Sequence, residues 1–136
     1  MKKLLFIVFG FCLILFSCQI NQEAKIKEVA KNYLEAVGNY KFEEGRSFVT
    51  DSSQIVIDRM FSIVKIMSEE DKEKNLPVEI IIKQVTIDKD TAFVNFDTKS
   101  PLYTHNGNVC LIKQKGGKWL VDLRKTFPKK QKKQSR

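Results

Sequence analysis

The sequence predicts an α+β domain, with amino-terminal helices packed on one face of a four-stranded antiparallel sheet. Three observations predict it. Apolar residues recur at helical spacing as far as Met67, Pro77 ends that pattern, and short β-branched and aromatic runs separated by turn signals follow. The 136 residues suffice for one domain of ordinary size, and a hydrophobic content of 43% is that of a globular core.

The first element is a leader. MKK followed by LLFIVFGFCLILF reads as a positive n-region and a 13-residue apolar h-region. A spanning helix needs ~20 apolar residues, so the run is short for a transmembrane anchor. Ordinary signal peptidase prefers small residues at −1 and −3, and Leu15 is too large for −3. Leu15-Phe16-Ser17-Cys18 instead resembles the lipobox of bacterial lipoproteins. The resemblance implies cleavage before Cys18, which then carries a thioether-linked diacylglycerol as the new amino terminus. Each buried methylene contributes ~0.8 kcal/mol, so two or three acyl chains supply on the order of tens of kcal/mol, a permanent anchor. Gln19, not Asp, follows the cysteine. By the same resemblance this implies the outer membrane, if the source is Gram-negative. The expected organisation is a signal peptide over 1–17, a lipidated tether over 18–23, a folded domain over 24–127 and a basic disordered tail over 128–136.

Within the domain, Ile26, Val29, Ala30, Tyr33, Leu34 and Val37 share one helical face, with Asn21 as the expected N-cap and Gly38 as the stop. YKFEEGRSFV (40–49) suggests a second short helix anchored by Phe42 and Phe48. SSQIVIDRMFSIVKIM (52–67) is helical by length, and its wide apolar arc predicts burial on more than one side, mainly in the domain's own core, with a partner subunit as the other reading. Ser68 to Asp71 has capping-box spacing, and Asn75-Leu76-Pro77 breaks the helix.

Four strands are expected in VEIIIKQVTI (78–87), TAFVNFDT (91–98), NVCLIKQK (108–115) and KWLVDLRK (118–125). Lys89-Asp90 and Gly116-Gly117 mark tight turns, and KSPLYTHNGN (99–108) reads as a longer loop punctuated by Pro101 and Asn106-Gly107. Ala92, Val94 and Phe96 share one strand face, as do Trp119, Val121 and Leu123.

NYLEAVGNYKFEEGRSFVT together with KQKGGKWLVDL resembles a domain of unknown function found in small bacterial lipoproteins, within the nuclear transport factor 2-like (cystatin-like) superfamily. The resemblance covers about residues 24–125. It implies a strongly bent, cone-shaped sheet wrapped round the first helix, with a cavity that some relatives use for ligands or catalysis. Fold alone assigns no activity.

Charge excludes one class of function. The net charge is +8, but Lys2, Lys3, Lys129, Lys130, Lys132, Lys133 and Arg136 lie at the two ends; without these seven, 17 basic residues face 16 acidic ones. The body is nearly neutral, and no nucleic-acid partner is expected. The tail KKQKKQSR is a like-charge run.

Cysteine use is equally plain. Cys12 leaves with the leader and Cys18 is acylated, so Cys110 is left without an intramolecular partner, inside the apolar run VCLI. His105 is the only histidine, and a solvated or turn-capping role is expected of it. No nucleophile motif, phosphate loop or metal-ligand spacing is present, so neither cofactor nor metal is expected. Tyr33, Phe96 and Trp119 are candidate pocket-lining residues as well as ordinary core aromatics. The reading is a membrane-anchored, non-catalytic binding module for a protein partner or small ligand, with homodimerisation open. The alternative is an isomerase or dehydratase in the cone, using Asp97 or Asp122 with a tyrosine such as Tyr33 or Tyr103. Both aspartates fall at alternating polar strand positions, expected to face water.

Overall fold

The computed structural model describes the backbone of residues 2–126 and the side chains of residues 20–126. Helix α1 runs unbroken over Lys2–Gly38. The stretch 18–23, expected as a tether, is therefore helical, and Asn21 lies inside the helix rather than capping it. Neither glycine nor proline interrupts the chain between Gly10 and Gly38, and Lys27 Nζ reaches Glu23 at 2.7 Å, one turn back. The basic tail (128–136) and the Cys18 side chain lie outside the described residues.

Helix α1 ends as expected near Gly38, but by other means. The left-handed residue is Tyr40, at φ 63°. Lys41 N donates to Ala36 O at 2.8 Å and Tyr40 N to Val37 O at 3.1 Å, the paired bonds of a Schellman end. Gly38 serves close packing instead: a Cβ on it would stand 2.9 Å from Val78 Cγ1. Asn39 then ties this end to the sheet. Its Oδ1 accepts from Val78 N at 3.1 Å, and its Nδ2 donates to Val78 O at 3.3 Å.

Helix α2 (Phe42–Arg46) is short, and Arg46 fastens it to α3 (Gln54–Lys65) through Asp58. Phe42 packs against Phe61 in a tilted pair, with ring centroids 5.7 Å apart and planes at 53°. Between the helices, Val49 forms a parallel bridge with Val121, so this segment covers the outer edge of the sheet. Buried Ser53 accepts from Leu123 N through Oγ at 2.9 Å. Helix α4 (Glu69–Lys74) has the expected N-cap: Ser68 Oγ accepts from Asp71 N at 3.1 Å.

The breadth of α3's apolar arc does not translate into a deep core. Ile57 is the one fully buried residue of α3, whereas Ile55, Phe61 and Ile63, with Ile66 just past its end, are exposed. The core takes one flank of this helix and leaves the other to solvent.

Strands β1 (Glu79–Asp88), β2 (Thr91–Lys99), β3 (Thr104–Lys113) and β4 (Trp119–Val121) form one antiparallel, curled sheet in sequential order. A register shift between Ile82 and Gln84 bulges β1 at Lys83. Its effect is one of parity. Ile80 and Ile82 oppose Thr98 and Phe96, and beyond the bulge Val85 and Ile87 oppose Val94 and Ala92, so both halves of β1 turn their apolar side chains to the same face.

The loop between β2 and β3 is only 100–103, shorter than expected, because β3 already begins at Thr104. The last strand is correspondingly brief: after Val121 the chain turns into helix α5 (Leu123–Thr126). Ile26, Ala30 and Tyr33 of α1 and Ile57 of α3 meet Val94, Val109, Leu111 and Val121 in the buried core. Among the described residues, no helix is long and apolar enough to cross a membrane.

Candidate functional site

The curled sheet and the helices form a half-open cavity of about 490 Å³ at the β2–β3 hairpin end. Helix α1 contributes Tyr33, Leu34 and Val37, and α3 contributes Met60. Ile80, Phe96 and Val109 line it from the sheet, and Leu123 and Thr126 from α5. Its volume lies in the range of ordinary small-ligand sites.

Two features of the sheet make this space. Gly107 opposes Phe96 in register, and a Cβ on Gly107 would lie 2.6 Å from Phe96 Cζ, so the ring lies across the bare backbone. Because β4 pairs only with Leu111 to Lys113, β3 continues past it and leaves that end of the sheet uncovered by a fourth strand. The Asn106-Gly107 pair, a turn signal in sequence, thus sits within a strand. Glycine here answers an aromatic neighbour rather than a turn.

The structure brings Tyr33 and Phe96 together on this cavity and leaves Trp119 out. Trp119 pairs with Lys113, at the opposite end of β3 from Gly107, and is buried in the core. The Tyr33 ring is buried, and burial alone pushes its phenol well above the ordinary range. Among the described residues no hydrogen-bond partner holds its hydroxyl, and its oxygen is not sealed off. Tyr33 thus brings to the cavity lining a neutral O–H that is able to donate or accept.

His105 also lines the cavity; it is solvated as expected but stands in a strand rather than a loop. It pairs with Thr98 inside β3 and stands exposed at the rim beside Tyr103. Met60, Leu123 and His105 were not singled out as pocket residues in the sequence. For His105 a signal existed: alternation backwards from Val109 places Gly107 and His105 on one face once the strand is begun at Thr104.

Neither candidate aspartate lines the cavity. Asp97 points to the opposite sheet face and meets Lys83 Nζ at 2.9 Å. Asp122 is buried rather than facing water, because it caps α5: Oδ1 accepts from Arg124 N at 3.0 Å and from Lys125 N at 3.2 Å. Thr126 is likewise engaged, its Oγ1 accepting from Cys110 N at 3.0 Å and donating to Asp122 O at 2.9 Å. Cys110 is buried, which pushes its thiol up and away from reactivity. Among the described residues no group of three or more His, Cys, Asp or Glu is placed to hold a metal ion. The cavity offers apolar enclosure, one buried phenol and an imidazole at its mouth.

No family model and no curated protein matches the chain. Among solved structures, the crystal structure of a "Putative NTF2-like transpeptidase" from Campylobacter jejuni is similar, with a TM-score of 0.55 and 23% identity. The match covers 70% of this chain and 94% of the other. The likeness establishes the fold, an α+β domain of the nuclear transport factor 2-like type.

Proposed function

We propose that the protein is a bacterial envelope lipoprotein, held by acyl chains on Cys18, whose nuclear transport factor 2-like domain is a non-catalytic binding module. The cone takes a small, mainly apolar ligand carrying one hydrogen-bonding group that meets Tyr33. The single observation behind this reading is the unpartnered Tyr33 hydroxyl on an apolar cavity of about 490 Å³ that no carboxylate lines. An acid–base enzyme working through Asp97 or Asp122 would need a carboxylate on that cavity, and the two are spent on Lys83 and on the α5 amides. The lipobox and the apolar leader support the anchor, and with it an outer-membrane location in a Gram-negative cell.

Mass spectrometry of the protein extracted from native envelopes tests both halves. The anchor reading expects loss of Met1 to Ser17 and a diacylglyceryl thioether on Cys18; an unmodified Cys18 overturns it. The binding reading expects a co-purifying or titrated apolar ligand whose affinity falls in Tyr33→Phe and in Phe96→Ala. An affinity indifferent to both substitutions overturns that half.

A further inference from the structure

A second surface adjoins the first cavity and shares Met60 and Leu123 with it. The outward side of α3 carries Ile55, Arg59, Ile63 and Ile66, spaced by three or four residues and therefore aligned as one stripe. The three isoleucines are 56%, 64% and 86% exposed, high values for large apolar side chains on one small domain. Beside the stripe, a groove of about 980 Å³ separates α3 from α5, with Val56, Met60 and Leu123 in its walls and Arg59, Arg124 and Lys125 on its rim.

Three cations, Arg59, Arg124 and Lys125, and one carboxylate, Asp122, line this groove. Asp58 is turned to Arg46 and Asp122 caps α5, while α4, which does not line the groove, pairs Glu69, Glu70 and Asp71 with Lys72 and Lys74 and leaves Glu73 over. From Arg124 to the end of the chain the sequence has seven basic residues and no acidic one. Two of them, Arg124 and Lys125, are on the rim of this groove.

We propose that this face, the α3 stripe with Arg59, Arg124 and Lys125, docks on an anionic lipid bilayer. The isoleucines enter the headgroup boundary and the cations lie over phosphates, the arrangement of an interfacial amphipathic helix. Charge selects this occupant. A second copy of the chain would bring Arg59, Arg124 and Lys125 against their own kind, whereas an anionic bilayer complements them together with the basic run that follows. The inference rests on the envelope reading only in supposing a bilayer within reach.

The test is hydrogen exchange on the full chain reconstituted into neutral phosphatidylcholine vesicles and into vesicles with an equal share of phosphatidylglycerol. Exchange over residues 54–66 is expected to slow in the anionic vesicles only, and to recover at high salt. Each cation near such a surface shifts the docked population about fivefold, so R59Q/R124Q/K125Q restores the neutral-vesicle rate. Ile55→Ser with Ile63→Ser does the same while leaving the charge intact. Equal exchange in both vesicles overturns the inference. So does protection that appears in neutral vesicles and grows with protein concentration, which would mark a second copy, or protection conferred only by an added acidic protein. Failure of the anchor reading shows separately, as loss of the chain from neutral vesicles.

Discussion

The ring of Phe96 rests on the backbone of Gly107, at the place a side chain on Gly107 would occupy. The pairing sets the cavity wall, because any larger residue at Gly107 displaces the ring into or away from the cavity. Gly107→Ala is expected to destabilise the fold by about 1–3 kcal/mol, as overpacking does. Urea unfolding measures the stability. Titration of an apolar probe should show altered affinity in the same variant, and unchanged stability with unchanged affinity would contradict the assignment.

Asn39 holds the end of α1 to the first residue before β1 by bonds to both polar groups of Val78. Val78 is buried, so Asn39→Ala leaves its N–H without a partner, at a cost of about 1–3 kcal/mol. Faster amide exchange at Val78 than at the centre of β2 should accompany the loss.

Asp122 caps α5 through bonds from the Arg124 and Lys125 amides. Asp122→Ala should lower stability by about 0.5–2 kcal/mol, and Asp122→Asn, which keeps an acceptor, by less. Ligand affinity per folded molecule should not change in either. A large loss of activity or binding with stability intact in Asp122→Asn would restore the enzyme reading.

Burial raises the Tyr33 phenol, so the folded state holds this proton more tightly than the unfolded chain. The sign follows by linkage. Below pH ~10 both states are protonated and the contribution is complete; above it the unfolded chain ionises first, so stability is lost as pH rises. Alkaline denaturation of the wild type compared with Tyr33→Phe isolates the effect: the variant should lose less stability over that range. A bound ligand that accepts from the hydroxyl should delay its ionisation further.

Cys110 should be silent to thiol reagents in the native protein, because burial both screens the sulfur and disfavours the thiolate. Labelling is expected to follow the unfolding transition under denaturant. Rapid native labelling would mean that α5 opens from β3, since Thr126 closes over the Cys110 amide.

Much of the fold was legible along the chain because the information is periodic and local. The apolar face of α1, the Ser68 cap, the change of period at Pro77 and the turns at Lys89-Asp90 and Gly116-Gly117 each depend on near neighbours, and each appears in the structure. Two of the three aromatic pocket candidates also reached the cavity. Trp119 did not, because strand register, which no single strand encodes, set it against Lys113 at the far end of the sheet.

What the sequence determined by itself, then, was the kind and order of most elements, α5 excepted, through side-chain periodicity and backbone preference. Tertiary structure alone decided which faces found partners. The bulge at Lys83 restored the inward parity of β1, Gly107 became a bed for Phe96 rather than a turn, and α3 kept an apolar flank uncovered. In each case the outcome depends on what stands opposite the residue in space. Sequence spacing cannot state that, because the same residue type serves a turn, a close contact or an exposed stripe with equal ease.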